Sequence, residues 1–283
     1  MKPFHFSILL LFFTLSACDN IPLEDIEQAQ NNDNAGQRRT RKVLLEYYTG
    51  HTCGACPGSG GVAVNQLSGL YPNQVVALAV HAGFFARARP AGQPFDYDFR
   101  TAAGNSLDDA FGVSSTGTPK GLINRNTYNG SLILTPSAWS SAVASYLNDS
   151  ALVGISLEKT FIESNRQLTI NATFTAFENL DFPLRVAAYL VEDSVVNWQR
   201  DYTKTPEDSP DYAHRFVLRS DLVPAEGAQL SNGPQNAAKD FVTRSFSASI
   251  SNELQARYSK AIVVAYRQDS GEVLQCETVS LLP

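Results

Sequence analysis

Val43 to Tyr48 is a mostly apolar run rich in strand formers, and Val75 to Val80 is a continuous apolar one. Runs of this kind suit strands covered on both faces. Between them Thr49-Gly50-His51-Thr52 breaks the first run, and Pro57 marks the start of a helix, because proline is tolerated in a first turn and not in an interior. Val62, Leu67 and Leu70 then fall on one helical face. Strand, helix, strand predicts a parallel crossover. Phe84 to Pro94 reads as a loop, Tyr97 to Phe111 as a helix, Leu132-Ile133-Leu134 as a short apolar segment and Trp139 to Leu147 as a helix, completing a small α/β domain near Ser150.

From Ala151 the pattern changes to period two. Leu168, Ile170, Ala172, Phe174 and Ala176 alternate with polar or small residues, as a half-exposed strand requires. Gly154 to Phe161, Leu184 to Val191, Phe241 to Ile250, Ala261 to Arg267 and Val273 to Leu281 read as further strands, separated by Asn, Asp, Gly and Pro clusters. That pattern predicts an all-β antiparallel sandwich. The stretch from Trp198 to Pro234, with Pro206, Pro210 and Pro224, reads as a long loop; its Trp198, Tyr202, Tyr212 and His214 either pack across the sandwich edge or form a ligand or partner surface.

The amino-terminal segment changes the picture. Lys2 is followed by an apolar run from Phe6 to Leu15, too short for a bilayer core, which takes about 20 residues. Leu15-Ser16-Ala17-Cys18 resembles a bacterial lipobox, in which Cys18 becomes the lipidated first residue. The expected organisation is a lipoprotein signal peptide over 1–17, a flexible tether over 18–41, an α/β domain over 42–150 and a β-sandwich over 151–283. Arg38, Arg39, Arg41 and Lys42 then read as the solvated end of the tether. The chain of 283 residues carries a formal charge of −6, which argues against nucleic acid as a partner.

Cys53-Gly54-Ala55-Cys56-Pro57 is the candidate chemistry. Two thiols three positions apart at a strand–helix junction lie within bonding distance, as thiol–disulfide exchange requires, and an exported chain meets conditions in which the bond persists. Cys53, nearer the exposed helix end, is the expected nucleophile and Cys56 the resolving thiol. His51 favours the thiolate when protonated, or is a loop histidine without a role. Cys276, inside a strand-like run, reads as a buried small hydrophobe.

Tyr48-Thr49-Gly50-His51-Thr52-Cys53-Gly54-Ala55-Cys56-Pro57, the Thr118-Pro119 loop, and Ile262 to Tyr266 with Val273 to Gln275 together resemble the twenty-eight-kilodalton outer membrane protein family of Bacteroidetes lipoproteins. The resemblance implies a thioredoxin-like α/β domain followed by the β-rich one. It implies that Pro119 is cis and faces the cysteines, and that Glu46 matches the buried acid that assists proton transfer in thioredoxins; a salt-bridged or exposed glutamate is the alternative. The expected protein is an outer-membrane or cell-surface lipoprotein without a cofactor. It exchanges disulfides with exported protein thiols and a redox partner. The alternatives are a binding or structural lipoprotein that merely retains the disulfide, and metal handling by Cys53, Cys56 and His51 or His81.

Overall fold

Strand β1, Val43–Thr49, is buried at all seven positions, as its unbroken apolar run demands. It pairs in parallel with β2, Val75–His81, from Val43 opposite Val75 to Thr49 opposite His81, and antiparallel with the short β3, Lys120–Ile123. The chain is described here by a computed structural model covering residues 39–235 and 239–282, with 239–241 as backbone alone. The signal segment, Cys18 and most of the tether lie outside the described residues.

The crossover from β1 to β2 runs through a π-helical segment, Cys56–Gly61, continuous with helix α1, Val62–Leu70. Its inward face is Gly60, Gly61, Val64 and Leu67, whereas Val62 and Leu70 are exposed. The glycines, which periodicity counts as neutral, set that face. A Cβ on Gly60 would lie 2.6 Å from Tyr47 Cε2 and 2.8 Å from Pro119 Cβ, so the glycine lets the segment seat against β1 and the proline loop. Helix α2, Ala102–Phe111, starts later than expected because the Thr101 hydroxyl caps it, accepting from the Gly104 N–H at 3.0 Å. Helix α3, Pro136–Ala144, buries Trp139 completely.

Beyond Ser150 the strands are β4 (Val153–Ile162), β5 (Gln167–Ala176), β6 (Leu184–Glu192), β7 (Val195–Arg200), β8 (Asp208–His214), β9 (Val217–Ser231), β10 (Lys239–Ser249), β11 (Ser259–Arg267) and β12 (Val273–Ser280). They supply two facing layers, but the larger layer is not theirs alone. One mixed sheet runs β12-β11-β6-β9-β2-β1-β3, so strands from both halves of the chain share it, while β10-β5-β4 form a separate three-stranded antiparallel layer. The join is a single parallel pairing of Ala79 with Val217, where the Ala79 N–H donates to the Phe216 carbonyl at 2.7 Å. The molecule is mostly β, with mixed sheets and few helices.

Alternation along the strands divides the core. Leu44, Tyr48, Leu78, Tyr189, Ile262 and Val264 face one side of the large sheet, under α2. On the other side Val43, Leu45, Tyr47 and Ala77 pack with Cys53, Cys56, Val64, Leu67 and Trp139. Farther along, Val186, Ala188, Ala261 and Val263 pack against Ile170 and Phe174 of the three-stranded layer.

The stretch expected to be a loop is instead the β7–β8 hairpin and β9, the longest strand. Its prolines sit where pairing lapses. Pro210 falls in the register shift between Gln199–Ser209 and Asn197–Tyr212, and Pro224 in the jump from Val223 to Ala228 opposite β6, so neither is asked for a ladder hydrogen bond. The basic run is not a solvated linker end either. Arg41 donates to Glu272 Oε1 at 2.8 Å and to the Val273 carbonyl at 2.7 Å, and Lys42 pairs with Glu277, so this stretch is fastened to β12.

Candidate functional site

The turn after β1 carries the cysteines. The Cys53 N–H donates to the Gly50 carbonyl at 3.0 Å and the Cys56 N–H to the Cys53 carbonyl at 3.2 Å, closing a tight turn that leads into the π-helical segment. Cys53 and Cys56 form a disulfide with their Cα atoms 5.4 Å apart. The Thr118–Pro119 bond is cis, and Cys53 Sγ lies 3.6 Å from the Thr118 carbonyl oxygen, so the proline loop stands against the first sulfur. Tyr47 points to the same side of the sheet. Its hydroxyl donates to the Cys56 carbonyl at 3.0 Å and accepts from Thr49 Oγ1 at 3.0 Å. Burial pushes the Tyr47 phenol up, so it stays a proton donor.

The sulfurs are covered: Cys53 is 3% exposed and Cys56 1%. Part of the cover is the β7–β8 hairpin, which sequence reasoning missed. Gln199 Nε2 donates to the Cys53 carbonyl at 3.2 Å, the Arg200 N–H to the His51 carbonyl at 2.8 Å, and the Tyr202 N–H to the Gly54 carbonyl at 2.9 Å. The Tyr202 ring lies flat enough on the turn that a Cβ at Gly54 would come within 2.3 Å of its Cε1. Glycine at position 54 is therefore what lets the hairpin close. The concentration of aromatic residues after Trp198 was the one signal for it.

Two expected helpers are placed elsewhere. Glu46 lies on the α2 side of β1, opposite the cysteines, because it alternates with Tyr47. It is fully buried, with both oxygens taken by Arg125: Nε donates at 2.9 Å and an Nη at 2.7 Å, and the same Nη donates to the Tyr189 hydroxyl at 3.0 Å. It is a salt-bridged glutamate on the face of β1 turned away from the sulfurs. His51 is buried among Phe95 and Phe99, with Nε2 3.2 Å from the Arg87 carbonyl oxygen. Burial lowers its pKa, which works against the protonated ring that would favour a thiolate.

His81 and His214 pack in the same aromatic cluster, each against Phe99 and edge-on to one another with ring centroids 5.6 Å apart. Burial holds His81 well below its ordinary range, and burial pulls His214 down to about 3. Among the described residues no group of three or more His, Cys, Asp or Glu side chains is arranged to hold a metal ion. Cys276 is a free, buried thiol whose pKa burial raises, in keeping with an inert packing residue.

The fold and site define a β-rich protein with a disulfide seated between a cis-proline loop and a hairpin cap. Residues 104–282 match the family model described as outer membrane protein Omp28, and the chain belongs to that family. The matched residues include Pro119 and the cap but not Cys53 or Cys56. Membership places the chain in a family of outer membrane proteins. Among solved structures, a domain of the outer membrane lipoprotein Omp28 from Porphyromonas gingivalis is 14% identical, covering 46% of this chain and 88% of that one at a TM-score of 0.32. A DUF3823 family protein from Bacteroides ovatus is 13% identical, covering 47% of this chain and 57% of that one at a TM-score of 0.25. No curated protein matches the chain. Among the described residues no helix is long and apolar enough to cross a membrane.

Proposed function

We propose that this outer-membrane lipoprotein, held to lipid through Cys18, exchanges disulfides with exported proteins at Cys53 and Cys56 in a thioredoxin-like setting. The observation that carries the reading is the pairing of the two cysteines, at the entrance of a helical segment, with the cis Thr118–Pro119 loop 3.6 Å from Cys53 Sγ. In the reduced form the Cys53 thiolate attacks a substrate disulfide, forming a Cys53–substrate bond and releasing one substrate thiolate, which takes up a proton. The Cys56 thiolate then attacks Cys53 Sγ, restoring the Cys53–Cys56 bond and releasing the second substrate thiol. Two electrons pass to the substrate, and the reverse sequence oxidises a dithiol.

A second reading has its own support. With both sulfurs buried, the disulfide also suits a binding or structural lipoprotein in which the bond only fastens the turn. Trapping separates the two. Cys56→Ser is expected to accumulate mixed disulfides with exported proteins, and Cys53→Ser to accumulate none. Equal behaviour of the two variants overturns the assigned roles.

A further inference from the structure

Eight large hydrophobic side chains are exposed among the described residues, and three of them stand beside the cysteine turn: Phe84 at 70%, Phe85 at 37% and Tyr202 at 62%. Main-chain bonds at the two neighbours of Cys53 hold them there. On one side Thr52 donates both its N–H, at 3.1 Å, and its hydroxyl, at 2.9 Å, to the Phe85 carbonyl. A Cβ at Gly50 would lie 2.4 Å from that carbonyl carbon, so the Phe84–Ala86 turn packs backbone to backbone on the cysteine turn. On the other side the Tyr202 N–H donates to the Gly54 carbonyl. The aromatic groups are thus placed by fixed backbone, which keeps the entropy of binding to them low.

A basic margin completes the surface. Arg87 and Arg89 are exposed, Arg87 over the Phe84 ring at 5.6 Å and Arg89 over Phe95 at 4.8 Å, and neither closes an ion pair among the described residues. The neighbouring carboxylates Asp98 and Asp208 are paired with Arg100 and Arg200, which leaves Arg87 and Arg89 to meet an incoming carboxylate.

We infer that Phe84, Phe85 and Tyr202, with Arg87 and Arg89 at the margin, form a docking surface for an extended segment of another polypeptide. That segment carries bulky apolar side chains and acidic residues beside its cysteine. The inference rests on the exchange reading and names the substrate class of that site. Apolar side chains cover the aromatic groups, carboxylates answer the two arginines, and a polypeptide brings both together with a cysteine sulfur at the turn between them.

The test uses the full mature chain with its disulfide intact and a fluorescent, unstructured peptide containing Phe, Leu and Glu, with serine in place of cysteine. Phe84→Ser and Tyr202→Ser are each expected to weaken binding by about tenfold, or about 1.4 kcal/mol. Leu70→Ser, on the exposed end of α1, is expected to leave it unchanged. Replacing Glu by Lys in the peptide is expected to weaken binding further. No binding by the natural chain, equal binding by all variants, or binding only to phosphatidylglycerol vesicles overturns the inference. Because the assay involves no thiol chemistry, a failed exchange assay beside intact peptide binding refutes the exchange reading alone, and the converse refutes the docking surface alone.

Discussion

Replacing Tyr202 with alanine tests whether the β7–β8 hairpin guards the disulfide. The Tyr202 ring covers Gly54 while remaining 62% exposed, so a little over a third of the side chain is removed from water. For an aromatic residue that is about 80 Å², worth about 2 kcal/mol at 25 cal per Å². The main-chain bond from residue 202 to Gly54 survives the substitution, so the loss falls on the ring alone. If that contact holds the cap closed, its removal favours the open form by up to about 30-fold, and by less if the open form keeps part of the contact. The assay is the rate at which dithiothreitol, small enough to need no docking surface, reduces the Cys53–Cys56 bond. Tyr202→Ala is expected to be reduced about 3- to 30-fold faster than the natural chain, with Leu70→Ala unchanged. An unaltered rate in Tyr202→Ala would refute the reasoning, since the ring would then cover the turn without controlling access to it.

Two further outcomes follow from the buried groups. Glu46→Gln leaves the Arg125 guanidinium buried beside a neutral amide and is expected to cost about 3–5 kcal/mol in urea unfolding, without moving the pH profile of Cys53 alkylation in the reduced protein; a shifted profile with little loss of stability would restore Glu46 as a proton carrier. His214 titrates near 3 when folded and near 6.5 when unfolded, so the unfolded chain binds the extra proton between those values and stability is lost as pH falls through that window. At pH 4.5 this amounts to about 2–3 kcal/mol relative to pH 7.5, and His214→Asn is expected to reduce the dependence by that amount; parallel profiles for the two proteins would contradict the burial argument.

What could be read from the chain alone divides along physical lines. β1 and β2 are continuous apolar runs between Gly and Pro signals, and β5 alternates cleanly, so local pattern sufficed for them. The cysteine spacing and Thr118-Pro119 were legible as chemistry, and the structure brings Thr118 to Cys53. The join at Ala79 and Val217 was not legible, because a single parallel pairing between residues far apart in sequence leaves no periodicity. Pro210 and Pro224 disguised β8 and β9, since proline argues against a strand unless a register shift accommodates it. The two readings of Glu46 stayed open for a related reason: its partner, Arg125, is 79 positions away, and only the alternation of β1 shows that it faces away from Tyr47. The cap over Cys53 depends on Gly54 being small and on a hairpin some 150 residues later, a contact no local signal encodes.

The reduction potential of Cys53–Cys56, measured by equilibration with glutathione alongside insulin reduction on the same sample, bears most directly on exchange as the protein's activity. A potential between about −270 and −120 mV, the span of known exchange proteins, with turnover that disappears in Cys53→Ser, is the expected result. A potential below about −300 mV with no turnover would contradict it and leave the disulfide as a fastening of the turn.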